Sequence, residues 1–104
     1  MTIAKLNDAF RRSFTGGQVF ITCGISALPQ DAQAAITERV RSFEYFDENN
    51  DPHGEHDFGA FDHDGRKIFW KIDCYDLDHQ FYSPDPTDPA KTARVLTILL
   101  AEEY

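Results

Sequence analysis

Apolar residues recur near helical spacing from the start of the chain. Ile3, Leu6, Phe10 and Phe14 fall on one side of a helix that Thr2 is placed to cap and Thr15-Gly16-Gly17 ends. The pattern then switches to period two. Gln18 to Gly24 reads as a strand, with Val19, Ile21 and Cys23 on one face and Phe20 and Thr22 on the other. Pro29 suits the first position of a second helix, with Asp31 in its first turn and an apolar stripe of Ala32, Ile36, Val40 and Phe43 backed by Ala35 and Phe46. After a polar break at Asp47 to Pro52, Phe58 to Asp62 and Arg66 to Tyr75 flank Asp64-Gly65, a strong local hairpin signal. Asp76 to Pro89 reads as loop, with Gln80 to Ser83 a candidate short edge strand. Asp88-Pro89 then predicts the cap and first residue of a last helix, with Val95, Leu96, Leu99 and Leu100 facing inward.

The resulting order, α-β-α-β-β-α, predicts one α+β domain spanning residues 1–104: a small, mainly antiparallel sheet, built from a strand and a β-hairpin, with three helices. The sheet has apolar residues for both faces. Ile68, Trp70 and Ile72 share one face, and Phe69, Tyr75 and Phe61 are expected to gather on the other. Helices on both faces, or an exposed aromatic face that docks a partner or makes a homodimer, would each account for this.

Composition narrows the class. Among 104 residues, 41% are hydrophobic and nine are Phe, enough to bury a core. The longest apolar run, Val95 to Ala101, is interrupted by Thr97 and falls far short of a membrane span; residues 1–14 lack the pattern of a secretory signal. A cytoplasmic protein with no membrane association is expected. Cys23 and Cys74 form no zinc framework and are expected to be small buried hydrophobes.

Charge is unevenly spread. The net charge is −8, yet Glu44 to Asp88 alone holds 13 Asp/Glu against three Lys/Arg. Such a field repels phosphate backbones, so direct nucleic-acid binding is disfavoured, whereas basic protein surfaces and cations are attracted.

The chemically suggestive stretch is Asp51-Pro52-His53-Gly54-Glu55-His56-Asp57-Phe58. His53, Glu55, His56 and Asp57 are all able to ligate a borderline or hard cation, but each template lacks a part. The two His are three apart rather than in HExxH, and His53-Gly54-Glu55 has no Pro-Cys-x-x-Cys half. Asp47, Asn49 and Asp51 open like a calcium loop that then meets Pro52 and Phe58 where Gly and Glu are needed. Loop building competes well. Asp51 satisfies nearby backbone, Gly54 supplies a positive φ, Gly59 permits close backbone approach, and His56 with Asp57 forms a candidate buried pair. On this reading Asp51, His53, Gly54, Glu55, His56, Asp57 and Gly59 form a structural loop motif.

Several segments resemble one family. Leu6-Asn7-Asp8-Ala9-Phe10-Arg11-Arg12 with Thr15-Gly16-Gly17, Asn50 to Gly59, Trp70-Lys71-Ile72-Asp73, and Arg94-Val95-Leu96-Thr97-Ile98 ending at Glu103-Tyr104 are similar to the bacterial domain-of-unknown-function family 3768. The resemblance implies a small single-domain bacterial protein, often found among accessory genes of mobile elements. It implies no activity, cofactor or catalytic residue.

The leading expectation is a non-enzymatic acidic binding module without cofactor. Asp47, Glu48, Asp51, Glu55, Asp62, Asp64, Asp76 and Asp78 would engage a basic surface of a nucleic-acid-handling or defence protein, as an inhibitor would. The alternatives are a metal-assisted hydrolase-like enzyme on His53, Glu55, His56 and Asp57, with Asp73 as a further carboxylate, and a homo-oligomeric structural protein.

Overall fold

The computed structural model describes residues 2–104. Helix α1, Ile3–Ser13, opens where the Thr2 hydroxyl accepts from the Lys5 N–H and closes at Phe14, whose φ of 58° is left-handed. Strand β1, Gln18–Ile21, is shorter than its apolar alternation suggested. From Cys23 the chain turns into a single helical turn, α2, Cys23–Ser26. Helix α3, Gln30–Arg41, takes Pro29 as its N-cap residue. The hairpin follows: β2, Phe58–His63, and β3, Arg66–Tyr75, with Asp64 and Gly65 both at positive φ, as a tight two-residue turn requires. Residues 80–83 contribute one bridge, Tyr75 to Tyr82.

The last segment is not a helix. Asp88 does cap, accepting from the Ala90 N–H, but only a short 3-10 turn, Pro89–Lys91; Ala93–Leu100 is strand β4. The sheet runs β1-β4-β3-β2, with β1 parallel to β4 and the other pairings antiparallel. β4 therefore sits inside the sheet. Its residues Leu96, Ile98 and Leu100 lie beside Ile72, Trp70 and Ile68. A run apolar on both faces suits that position, and β-branched Val95, Thr97 and Ile98 favour it over a helix. The class remains α+β with three helices and a mostly antiparallel sheet, in the order α-β-α-α-β-β-β.

The core lies on one face. Phe10, Ile25, Ile36, Val40 and Phe43 from the helical side pack against Ile68, Trp70, Ile72, Cys74, Leu96, Ile98 and Leu100. Phe61 belongs to this side, because it pairs with Ile68 and alternates with Phe58 and Ala60; only Phe69 and Tyr75 of the expected aromatic trio lie on the opposite face. There Phe69 meets Phe58 and Tyr104 edge-on. The C-terminal turn is fastened by Glu103, whose carboxylate accepts from the Thr22 hydroxyl and from the Gly24 and Leu100 N–H groups. Among the described residues, no helix is long and apolar enough to cross a membrane. Cys74 is buried, as its hydrophobic character suggested, whereas Cys23 is exposed because β1 stops before it.

Candidate functional site

The acidic loop folds by satisfying its own backbone. Asp47 accepts from the Asn49 and Asn50 N–H groups, and Asn50 in turn binds the Asp47 N–H and the Tyr45 carbonyl. Asp51 accepts from the Glu55 and His56 N–H groups, at 2.9 and 3.1 Å, with its side chain only 6% exposed. Between these anchors Pro52, His53 and Gly54 form an exposed turn, with Gly54 at φ 65°.

His56 is also left-handed, at φ 53°, which turns its ring toward helix α1 and away from Asp57. Its Nδ1 lies 3.0 and 3.1 Å from the two Asp8 oxygens, its Nε2 is 3.6 Å from Asp51, and its ring stacks flat on Phe46 at 3.9 Å. The partner of His56 is therefore Asp8 rather than Asp57, and the pair is partly rather than fully buried. Asp8 also binds Arg11, a fully buried guanidinium that donates to the Val40 and Arg41 carbonyls and lies against Trp70 and Phe46. Burial pushes the Arg11 guanidinium below its ordinary pKa, and Asp8 opposes that shift.

On the other side of the same loop, Glu55 and Asp57 line a cavity of about 170 Å³ with Asn7, Ile72, Asp73, Cys74, Tyr75 and Tyr82. Its position follows from strand pairing. β2 starts at Phe58, and the Asp57 carbonyl accepts from the Ile72 N–H, while the next pairing on that edge of β3 is Ser83 N–H to the Cys74 carbonyl. The cavity is the gap between these two pairings. Asn7, fully buried, forms one wall: its amide donates to the Glu55 carbonyl and its oxygen accepts from Arg94.

Among the described residues no Lys, Arg or His lines the cavity, although Lys71 reaches Asp73 from outside at 3.2 Å. Burial, and then the neighbouring Asp51 and Asp73 carboxylates, push the Asp57 carboxyl above the ordinary Asp range; its own backbone N–H and His53 oppose this. Burial likewise pushes the Cys74 thiol up, which keeps it protonated and unreactive at neutral pH. The direction of the Asp57 shift sets a pH dependence. Below the unfolded-state pKa the carboxyl is protonated in both states and costs nothing, and as pH rises through the raised folded pKa, ionisation destabilises the fold. Asp57→Asn is therefore expected to stabilise the protein at pH 7, by up to about 1 kcal/mol once solvent screening is discounted, with the gain vanishing by about pH 3. Thermal melts of both proteins across that range check this.

The sequence candidates divide. Glu55 and Asp57 reach the cavity, and Asp73 joins them. Asp47, Asp51 and Asp76 spend their carboxylates on local turns, Asp76 accepting from the Gln80 N–H. Asp62 and Asp64 sit at the hairpin turn, beside Lys67 and His63. That places them at the opposite end of the ten-residue β3, about 30 Å from Asp76. Glu48 and Asp78 are exposed. The eight acidic candidates thus do not form one patch. Nor do His53, Glu55, His56 and Asp57 converge as ligands, since His53 is solvent-facing and His56 is committed to Asp8; among the described residues no three His, Cys, Asp or Glu side chains are arranged to hold a metal ion. Asn7, Tyr75 and Tyr82 escaped sequence reasoning. Only the resemblance of the Leu6–Arg12 segment pointed toward Asn7. A roomier recess between the start of α3 and the hairpin turn, lined by Leu28, Ala32, Ile36 and His63, is mainly apolar.

A family described as "Protein of unknown function (DUF3768)" matches residues 21–103. The chain belongs to the DUF3768 family. No curated protein and no solved structure matches it. The DUF3768 match takes in Glu55, Asp57, Asp73, Cys74 and Tyr82, and it begins after Asn7, Asp8 and Arg11.

Proposed function

We propose that this DUF3768 protein is a non-enzymatic acidic binding module, and that the end of the sheet carrying Glu55, Asp57 and Asp73 receives a basic surface of another protein. The observation that carries this reading is the setting of Asp57. Its carboxylate is kept in a partly buried cavity beside two other carboxylates, where its ionisation is opposed and, among the described residues, no Lys, Arg or His lines the wall. An asparagine would fit the same fold with less electrostatic cost, so the acid at this position is better explained by what it attracts than by what it holds together. An incoming ammonium or guanidinium would relieve the repulsion and bind most strongly where solvent is excluded.

The partner class follows from charge. Proteins that handle nucleic acid, including defence enzymes, present Lys/Arg-rich surfaces, and an acidic domain of this size competes for such a surface as an inhibitor would. The same field disfavours direct contact with DNA or RNA. Tagged protein is expected to recover a basic partner from bacterial lysate at low salt and to lose it at high salt. The double variant Glu55→Gln/Asp57→Asn should lose it at either salt while melting no lower than the parent. Absence of any partner at low salt, or equal recovery by the variant, would overturn the reading.

A further inference from the structure

The two edges of the sheet are treated differently. On β2, the strand alternation that turns the Asp57 carbonyl toward β3 turns the Asp62 carbonyl outward, and there Arg39 caps it while lying 4.3 Å over the Phe61 ring. Charged caps and side chains of this kind protect an exposed edge from pairing. Strand β1 at the other edge carries no such device. Its residues are Gln18, Val19, Phe20 and Ile21, and the stretch from Ser13 to Gln30 holds no Asp, Glu, Lys, Arg or His in a chain that is 27% charged. Phe20 and Ile21 are 51% and 41% exposed.

The backbone of β1 is also aimed for pairing. The Thr22 N–H donates to the Ile98 carbonyl of β4, so alternation turns the N–H and C=O groups of Val19 and Ile21 to the free edge. We infer that β1 is a self-association edge, and that its occupant is a second copy of this chain joined antiparallel about a two-fold axis at Phe20. Val19 of one copy then exchanges two hydrogen bonds with Ile21 of the other, and the reverse pair adds two more. Phe20 comes opposite its own symmetry mate on the helix-free face, in the close register that favours aromatic pairs. Charge selects the second copy as occupant. Two chains of net −8 repel wherever their acidic segments meet, and the charge-free stretch lets them approach without like-charge contact; a strand paired with itself needs no complementary charge. This inference is independent of the acidic-module reading, since the acidic cavity opens at the β2 side of β3, across β4 from β1.

Sedimentation equilibrium at about 0.2–1 mM is expected to give twice the monomer mass, and Phe20→Lys to halve it, because two lysines would stand directly opposite. The exposed Cys23 supplies a second measurement on the unmutated chain, since Cys74 is buried and will not label. Cys23 lies three residues from the pairing centre, just past the end of β1, so nitroxides on the two copies should be about 15–30 Å apart, around the roughly 20 Å that six extended residues would span. A monomer at those concentrations, a dimer indifferent to Phe20→Lys, or labels farther apart than about 30 Å would each overturn the inference.

Discussion

Arg11→Ala is expected to cost about 3–5 kcal/mol, which for a domain of this size lowers Tm by roughly 15–30 °C. The side chain is fully buried, and its removal leaves Asp8 with His56 alone and the Val40 carbonyl with the Phe43 N–H alone. One Nη donates at 2.8 and 3.0 Å to the Val40 and Arg41 carbonyls at the end of α3, where the regular helical bonds run out and Val40 keeps only a turn bond from the Phe43 N–H. The other holds Asp8 at 3.0 Å, and the guanidinium lies 5.1 Å from the Trp70 ring. Alanine would take the charged donor from a part-buried carboxylate and two carbonyls, that of Arg41 most severely, and open a void beside the indole. Lysine keeps the charge but lacks the planar fork that serves three acceptors, so Arg11→Lys should fall between parent and alanine. Urea unfolding followed by circular dichroism measures both. A loss under about 1 kcal/mol for alanine would show that the junction of α1 with α3 is held elsewhere.

The same residue shows why the site was only half legible in the sequence. The helix at residues 3–13 was readable from its cap and apolar spacing, but the face it buries was not. Asn7 and Arg11, one helical turn apart, are both fully buried beside Phe10, while Ile3 and Leu6 are only partly covered. Hydrophobic periodicity assigns polar residues to solvent, and the acceptors that reverse this here, the end of α3 and the Glu55 carbonyl, come from distant parts of the chain. Two of the family-like segments, Leu6–Arg12 and Asn50–Gly59, thus owe part of their character to touching each other. The hairpin was legible because Asp64-Gly65 is a local device that fixes register without outside help. Residues 93–100 were not, since a short apolar run satisfies both periods. Val95, Leu96, Leu99 and Leu100 make a helical stripe, and Leu96, Ile98 and Leu100 make a strand face. What decides is the slot between β1 and β3, which only assembly creates.

Gly59→Ala is expected to destabilise the fold by about 2–3 kcal/mol, a large effect for one methyl group. Gly59 pairs with Trp70 across the hairpin and shares its face. A Cβ there would lie 2.4 Å from the indole Nε1, 2.7 Å from Cε2 and 2.5 Å from the Phe43 ring, closer than real Cβ atoms come to such neighbours. Neither ring has room to retreat. Trp70 is fully buried with Arg11 over its face, and Phe43 is wedged edge-on against it and stacked on Phe46. Phe46 in turn supports His56, so a shift at Gly59 passes to the acidic loop through a chain of packed rings as well as along the two bonds to Asp57. Trp70 is the only tryptophan, which makes its emission a direct reporter: the alanine variant should emit to the red of the parent as the indole is displaced toward water. Trp70→Phe removes the indole atoms nearest the new methyl. In the double variant the two losses should therefore be less than additive, by about 1 kcal/mol or more. Strict additivity, or unchanged emission from Gly59→Ala, would mean that the close approach of strand and indole does not set the geometry of this end of the sheet.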